Sequence, residues 1–384
     1  MGGPGPHGRL RGSRRGAPAR AHRGVGSDLL ETARAREPGR RRRASRRGRR
    51  PSAPRPARRV HPVRLRLHPR RQRVERGRPV AQARPRGRRG RRGVAPVSAS
   101  RSPQAASVRW REVDGPIAWR EAAPAAGPVP DTGGTDTIVF LHGLGGSRTA
   151  WDAQLAALGS RWRCVAWDMP GYGASAPLPG DGPLTFARLA DAVVELIDRL
   201  DAARVHLVGL SFGGMIAQHT ALAHPRRIDR LVLVDTSPAF GLDGTDPVAW
   251  KRLRLDRLDR GETPADMADE VIRAVAGPGL TGAALDSQVA AMGRIPAAGL
   301  RAAVECLPHH DLRDRLHRIG APTVVIVGEL DTETPPAYAR LLADAIPGAR
   351  LVTVPGAGHL TPAEAPDPVN AAIRDHLLDT RRFP

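Results

Sequence analysis

From about residue 108 onward, short apolar runs alternate along the chain with longer stretches in which apolar side chains recur at helical spacing. Residues 108–113 and 117–121 largely alternate apolar with polar positions and flank the turn Asp114-Gly115-Pro116. This pattern predicts an antiparallel hairpin. Six later runs have the length and nearly continuous apolar character of buried strands; they lie at residues 137–141, 163–168, 205–210, 230–235, 322–328 and 350–354.

The stretches between these runs predict helices. The strongest covers 185–200, where Leu189, Val193 and Leu196 fall on one face and Thr185 can cap the first turn. Shorter helices are predicted at residues 149–158, 215–223, 336–346 and 368–378. Residues 237–318 break the alternation, because they show several helices interrupted by Pro and Gly and no clear strand.

The alternation of strands with helices predicts an α/β fold class. It implies right-handed crossovers, and therefore a mostly parallel sheet flanked by helices, with the N-terminal hairpin as an antiparallel edge. Residues 237–318 lie between two sheet strands, so we expect a helical cap insertion over the carboxyl ends of the strands, where such sheets bind ligands. Residues 108–384 are long enough for one such domain.

Composition divides the chain at about residue 107. The net charge is +23 over 384 residues, but residues 1–107 hold 33 Arg and four acids, a net of +29, whereas 108–384 carry a net of −6. The first segment is rich in Arg, Gly, Pro and Ala and has no aromatic residue. It cannot bury enough surface to offset the entropy of ordering, so we predict that residues 1–107 are disordered.

Three interpretations of this basic extension compete. Its dense Arg blocks suit a nucleic-acid-binding arm, but no aromatic residues lie between them to stack on bases. The Arg-rich, acid-poor bias suits a transit peptide, but the many Pro and Gly disfavour an amphipathic helix. We favour a third hypothesis, a misassigned start site in GC-rich DNA, and an intact native mass matching all 384 residues would contradict it.

The motif Gly209-Leu210-Ser211-Phe212-Gly213 joins a predicted strand to a predicted helix. In this context Gly-x-Ser-x-Gly is a nucleophile elbow, a turn so sharp that the residues two positions either side of the serine must lack side chains. We therefore predict that Ser211 is a catalytic nucleophile. The alternative is a glycine-rich turn that binds a phosphate or nothing.

A serine nucleophile needs a base and an orienting carboxylate. Asp331 and His359 each follow a predicted strand, so their loops lie at the same edge of the sheet as Ser211. We predict that His359 is the base and Asp331 the acid; Asp235 and Glu329 are the rival acids. For the oxyanion hole we predict the amides of Phe212 and of Leu144 or an immediate neighbour of Leu144.

For other residues with reactive or charged side chains, the sequence predicts structural roles. His142 is expected to hold the loop before Leu144, and Cys164 and Cys306 to be buried small hydrophobes. His309-His310 lacks a third ligand at metal spacing and suggests a surface or cap pair. The cap arginines suggest a solvated helix face; they are Arg252, Arg254, Arg257 and Arg260. We expect no metal and no cofactor.

From about Val108 onward, the chain resembles the α/β-hydrolase superfamily. The resemblance rests on the His142-Gly143 loop, the elbow, the acid and base loops, and Gly171-Tyr172-Gly173-Ala174-Ser175. Four stretches are also similar to 3-oxoadipate enol-lactonases: Val234-Asp235-Thr236-Ser237, Asp311-Leu312-Arg313, residues 327–336, and Pro355-Gly356-Ala357-Gly358-His359-Leu360. This resemblance implies an α/β-hydrolase fold, with Ser, acid and His in that chain order.

The resemblance implies hydrolysis of an ester or lactone, with 3-oxoadipate enol-lactone as the candidate substrate in aromatic catabolism. The alternatives are a broad carboxylesterase, a carbon–carbon bond hydrolase with the same triad, and a non-catalytic binding module whose basic extension docks on nucleic acid. We expect a small-molecule partner, with no nucleic acid bound by the domain and no membrane span. A cytoplasmic location is the default in the absence of a secretory signal. The oligomeric state is left open.

Overall fold

Eight strands form one sheet in this computed structural model, which describes residues 107–125 and 137–379. The sheet order is β1-β2-β4-β3-β5-β6-β7-β8. The strands are β1 (Val108–Val113), β2 (Trp119–Pro124), β3 (Thr137–Leu141), β4 (Arg163–Trp167), β5 (Val205–Leu210), β6 (Ile228–Val234), β7 (Thr323–Gly328) and β8 (Arg350–Val354). Strand β2 pairs antiparallel with β1 and β4, and all other pairs are parallel. The predicted mostly parallel sheet with an antiparallel hairpin is confirmed. The prediction of disorder for residues 1–107 lies outside the described part of the chain, apart from Ser107.

Ten α-helices accompany these strands in the described residues. They are α1 (Asp152–Leu158), α2 (Phe186–Arg199), α3 (Phe212–Ala223), α4 (Pro247–Asp259), α5 (Pro264–Val275), α6 (Gly282–Gly293), α7 (Ala297–Cys306), α8 (Pro336–Ala345), α9 (Thr361–Glu364) and α10 (Pro366–Leu378). Helix α2 begins as predicted, with the Thr185 hydroxyl accepting from the Arg188 amide at 3.2 Å. The helix predicted at 149–158 is instead a short 3-10 turn followed by α1.

The central strands are buried along their full length because helices cover both faces of the sheet. Every residue of β3, β5 and β7 is buried. Parallel pairing aligns the strand ends: Leu210 of β5 is opposite Val234 of β6, and Gly328 of β7 is opposite Val354 of β8. The loops that follow β5, β6, β7 and β8 therefore meet at one edge.

Helices α4 to α7 lie between β6 and β7 and form the cap segment, residues 237–318. The two ends of this segment are tied together, since the Phe240 amide donates to the His310 carbonyl at 2.8 Å and the His310 ring bonds the Ser237 carbonyl at 2.9 Å. Gly145, in the loop after β3, lies against Ile272 of α5 and Met292 of α6. The cap segment thus contacts the edge where the strand ends meet.

Some residues singled out by the sequence have plainly structural surroundings. Cys164 and Cys306 are free and buried, as predicted. His309 is exposed, but His310 is buried, with its Nδ1 3.2 Å from the Nε2 of His219. Within the described residues, no group of three or more His, Cys, Asp or Glu side chains is arranged to hold a metal ion, and no helix is long and apolar enough to cross a membrane.

Candidate active site

Ser211 occupies a strained turn between β5 and α3. Its backbone has φ 53° and ψ −118°, in the positive-φ region that residues with a side chain rarely adopt. Its amide donates to the Val234 carbonyl at 2.9 Å, which ties the turn to β6. A Cβ at Gly209 would collide with the Gly213 carbonyl, and one at Gly213 would collide with the Leu141 carbonyl. The tight packing around the turn therefore requires both glycines.

His359 reaches Ser211 from the loop after β8. Its Nε2 lies 3.0 Å from the Ser211 hydroxyl oxygen. Its Nδ1 lies 3.0 and 3.1 Å from the two carboxylate oxygens of Asp331. The imidazole therefore bridges the serine and the aspartate, and the structure brings these three residues together in the arrangement that a triad requires.

Asp331 is held by the turn that follows β7. Its carboxylate accepts from the Glu333 amide at 2.9 Å, the Thr334 amide at 3.0 Å and the Thr334 hydroxyl at 2.8 Å. Burial opposes its ionisation, but the His359 charge and these hydrogen bonds outweigh burial and hold the pKa of Asp331 below its ordinary value. The side chain is therefore a carboxylate suited to orienting an imidazole.

The two rival acids bind other partners. Asp235 follows β6 with φ 42°, and its carboxyl oxygens bond the Gly328 amide at 2.9 Å and the Thr361 amide at 3.1 Å. Glu329 is exposed and accepts from the Gly356 amide at 3.0 Å. Neither carboxyl is hydrogen-bonded to His359, so the geometry favours Asp331 as the partner of the imidazole.

Asp235 is completely buried behind the acid and base loops. Burial and then the negative charge of Asp331 raise the pKa of Asp235 well above its ordinary value. The Thr361 hydroxyl donates to Asp235 Oδ1 at 3.0 Å and also lies 2.8 Å from the Gly358 carbonyl. Asp235 thus ties the end of β6 to the segment that follows His359.

The His359 imidazole is held as a strong base. Burial opposes its protonation, but the charge and hydrogen bond of Asp331 outweigh burial and raise the pKa of His359 to about 9. Asp235 and Glu333 add to this rise in the pKa of His359 only when they are ionised. In its neutral form, the ring is therefore a strong acceptor for the proton of the serine hydroxyl.

The loop after β3 passes directly beside the nucleophile. A Cβ at Gly143 would lie only 3.3 Å from that of Ser211, so the next peptide, Gly143–Leu144, is close to the serine. The Tyr172 hydroxyl donates to the Leu144 carbonyl, which belongs to the following peptide, at 3.1 Å. Phe212 begins α3, so its amide has no acceptor within that helix. These positions suit the predicted oxyanion donors, Leu144 and Phe212.

His142 holds the same loop. Its Nδ1 donates to the Gly143 carbonyl at 2.8 Å, and its Nε2 accepts from the Met169 amide at 3.0 Å. Burial lowers the pKa of His142, which keeps the ring neutral with the Nδ1 proton that these bonds require. The contacts match the loop-holding role predicted from the sequence.

Sequence reasoning missed several residues that support the site. Thr334 bonds Asp331, Thr361 bonds Asp235, and Glu364 bonds the backbone on both sides of His359. The Thr334 contact is local and has a weak signal, because Asp followed by Thr three residues later is a common side-chain-to-backbone turn. The contact between Thr361 and Asp235 depends on tertiary folding, because these residues are 126 positions apart. The Glu364 contacts are local, over four and six residues.

The chain matches the alpha/beta hydrolase fold family over residues 136–366, more than half of its length. It is 32% identical over 250 residues to the pimeloyl-(acyl-carrier protein) methyl ester esterase of Edwardsiella ictaluri, a match that covers 62% of this chain and 92% of that protein. A hydrolase from Pseudomonas aeruginosa PA01 superposes with a TM-score of 0.60 at 32% identity, covering 70% of this chain and 98% of that one. The enol-lactonase from Burkholderia xenovorans LB400 superposes with a TM-score of 0.60 at 28% identity, and the match covers 68% of this chain and 96% of that one.

These relatives are hydrolases, and their similarity covers nearly their full lengths. The match to the family includes β3 with the loop after it, the Ser211 turn, and the Asp331 and His359 loops. The sheet order and the placement of these loops at one edge agree with that match. The chain therefore belongs to the α/β-hydrolase fold family.

Proposed function

We propose that this protein hydrolyses a carboxylic ester or lactone through a Ser211–His359–Asp331 triad and an acyl-enzyme. The observation that carries the proposal is the unbroken hydrogen-bonded line from the Ser211 hydroxyl to His359 Nε2 at 3.0 Å and from His359 Nδ1 to Asp331 at 3.0 Å. A serine hydroxyl is a weak nucleophile, and this line supplies the base and the orienting carboxylate that it needs.

In the first half of the reaction, His359 Nε2 takes the Ser211 proton while the serine oxygen attacks the substrate carbonyl carbon. The Asp331 carboxylate stabilises the imidazolium that forms and keeps the Nδ1 proton directed toward itself. The imidazolium then gives its proton to the departing alcohol or enol oxygen as the acyl-enzyme forms. In the second half, His359 takes a proton from a water molecule as the water oxygen attacks the acyl carbon. The imidazolium then gives this proton to the Ser211 oxygen as the acid leaves, which regenerates the serine hydroxyl.

Developing charge on the carbonyl oxygen requires donors beside Ser211. We assign this role to the amides of Phe212 and Leu144, with Phe212 at the N-terminus of α3, where the helix dipole also favours negative charge. The bond from the His142 ring to the Gly143 carbonyl holds the peptide that carries the Leu144 amide, and the bond from the Tyr172 hydroxyl to the Leu144 carbonyl holds the next peptide. Holding the donors before the reaction avoids the cost of reorienting them in the transition state.

Within this reaction class, we favour 3-oxoadipate enol-lactone as the substrate. The motifs around Asp235, Asp311, Asp331 and His359 support it, as does the structural similarity to an enol-lactonase. Ring opening would expel an enol, which becomes a ketone and makes the acyl transfer effectively irreversible. A carboxylesterase acting on another ester is the second candidate, supported by the 32% identity to a methyl ester esterase.

The test is labelling with a fluorophosphonate, followed by a panel of simple esters and enol-lactones. We expect wild type to be labelled and to hydrolyse at least one class, and Ser211→Ala to lose both labelling and at least about 10⁴-fold in kcat. Circular dichroism should show that the variant keeps the fold. Hydrolysis retained by Ser211→Ala would refute the proposal, and the ratio of kcat/KM between lactones and esters separates the two substrate candidates.

A further inference from the structure

Glu364, at the end of α9, gathers three backbone N–H groups on one carboxylate. Its Oε2 accepts from the Gly358 amide at 2.7 Å, and its Oε1 accepts from the Leu360 amide at 3.0 Å. These two amides lie immediately before and after His359. The third donor is the amide of Gly277, which follows α5 of the cap segment and bonds Oε1 at 3.0 Å.

The backbone of the cap segment also directly contacts the loop after β8 that carries His359, residues 355–360, which we call the base loop. The His359 amide donates to the carbonyl of Val275, the last residue of α5, at 3.3 Å. Gly277 and Gly358 pack so closely that a Cβ on either would collide with the backbone of the other. The end of α5 and the loop around His359 are therefore held together, with the Glu364 carboxylate at the junction.

The base loop depends on such bonds because its own side chains hold little. Pro355-Gly356-Ala357-Gly358 offers no large side chain to pack, and two glycines make the backbone flexible. Hydrogen bonds from backbone amides to a carboxylate are charge-assisted and stronger than neutral ones. Glu364, which is half-buried, thus provides both the fixed point for the loop and its connection to the cap segment.

We propose that Glu364 is a positioning residue that couples the cap segment to His359, so that the arrangement of α5 sets the geometry between the imidazole and Ser211. This inference rests on the proposed serine-hydrolase function. It adds a connection through which a substrate held beneath the cap segment can influence the base. Glu364 touches neither the substrate nor the reacting atoms and acts only through the loop.

Two other carboxyl groups bind the same loop without reaching the cap segment. Glu329 accepts from the Gly356 amide at 3.0 Å, and Asp235 accepts from the Thr361 amide at 3.1 Å. Glu329 is the better comparison, since it is exposed and lies outside the triad. A Glu329 variant therefore loses a carboxylate bond to the loop while leaving the junction with α5 intact.

The first experiment compares Glu364→Ala, Glu364→Gln and Glu329→Ala in kcat and KM on the best substrate of the panel. We expect Glu364→Ala to lose about 10- to 100-fold in kcat, because small displacements of a catalytic group cost that much. Glu364→Gln should lose less, since its one remaining oxygen can still accept from Gly277 and Leu360. Glu329→Ala should stay within about twofold, as is usual for an exposed substitution.

A spectroscopic readout separates positioning from general destabilisation. The Nδ1 proton between His359 and Asp331 should give a low-field proton resonance in wild type and in Glu329→Ala. We expect this resonance to broaden or disappear in Glu364→Ala at temperatures well below unfolding. A resonance and a kcat unchanged in Glu364→Ala would overturn the inference, as would equal losses in Glu364→Ala and Glu329→Ala.

The cap side of the junction gives an independent variant. Gly277→Ala places a methyl group against the Glu364 carboxylate and the Gly358 backbone, so it should lower kcat in the same way as Glu364→Ala. The double variant should lose little more than either single variant, because both break one connection. Fully additive losses would contradict the coupling. If Glu364→Ala does not fold, Gly277→Ala and Glu364→Gln decide the question by the same two readouts.

Fluorophosphonate labelling distinguishes failure of this inference from failure of the proposed function. If wild type is not labelled at Ser211, the serine-hydrolase proposal fails and Glu364 has no catalytic geometry to control. If wild type is labelled and the Glu364 and Gly277 variants are labelled at the same rate with unchanged kcat, the triad stands and only the coupling fails. The expected result is slower labelling of Glu364→Ala and Gly277→Ala, with normal labelling of Glu329→Ala.

Discussion

At the scale of single residues, the candidate active site contains two buried aspartates whose pKa values are shifted in opposite directions. Asp331 accepts three hydrogen bonds from the turn after β7 and faces His359, and its pKa is lowered. Asp235, on the neighbouring strand, is buried beside that negative charge, and its pKa is raised. Because two close carboxylates resist ionising together, the charge of Asp331 adds to burial in raising the pKa of Asp235. Their different surroundings give them different roles.

The same substitution at both positions should therefore have different effects. Asp331→Asn removes the charge that orients and stabilises the imidazolium, so we expect kcat to fall by about 10⁴-fold. Asp235 is not bonded to His359, and Asp235→Asn keeps one backbone-accepting oxygen while it sacrifices one backbone bond, so we expect a loss of no more than about tenfold. Steady-state kinetics at one pH measure both values. A larger loss in Asp235→Asn than in Asp331→Asn would assign the acid of the triad to Asp235.

The pH dependence of the rate follows from the base. His359 must be neutral to take the Ser211 proton, and Asp331 raises the pKa of His359 to about 9. We therefore expect kcat/KM to rise with pH through the neutral range and to level off near that value. Asp331→Asn should move this rise in kcat/KM to lower pH, because the main cause of the raised His359 pKa is removed, whereas Asp235→Asn should move it less. A rate that is flat from about pH 6 to 9 would contradict a raised His359 pKa, and a profile that Asp331→Asn does not shift would contradict Asp331 as its cause.

At the scale of elements, the sequence predicts the strands well and the cap segment poorly. Strand β8 has the predicted bounds, Arg350–Val354, and β6 begins at Ile228, only two residues earlier than expected. These strands could be predicted because each is a short apolar run whose burial is visible in the sequence itself. Their order along the chain also placed the loops of Ser211, Asp331 and His359 at one edge.

The cap segment resists prediction because its side chains are partnered by tertiary contacts. Arg254, predicted on a solvated face of α4, is half-buried, and its guanidinium lies 3.9 Å from the centre of the Trp250 ring, so that prediction is wrong. His310 is buried against His219, which is 91 residues away along the chain. The bond from Gly277 to Glu364 spans 87 residues. No local pattern carries such pairings, and the parts of the site that depend on them were missed.

At the scale of the whole molecule, charge separates the chain into two parts with different chemistry. Residues 1–107 carry a net charge of +29 and residues 108–384 a net charge of −6. The proposed catalytic residues all belong to the second part. An Arg-rich segment binds polyanions through the release of counterions, without regard to sequence. Any affinity for nucleic acid should therefore belong to the extension, and hydrolysis to the remainder.

A chain that begins at Val108 tests this division. We expect its kcat/KM for a neutral ester to stay within about twofold of the full chain, because screened charges outside the site have little effect on a neutral substrate. The full chain should bind duplex DNA with an affinity that falls steeply with salt, whereas the shortened chain should not bind. Fluorescence anisotropy at several salt concentrations measures the binding. DNA binding that survives the deletion would assign a nucleic-acid site to residues 108–384, and a loss of hydrolysis in a folded shortened chain would show that the extension contributes to the active site.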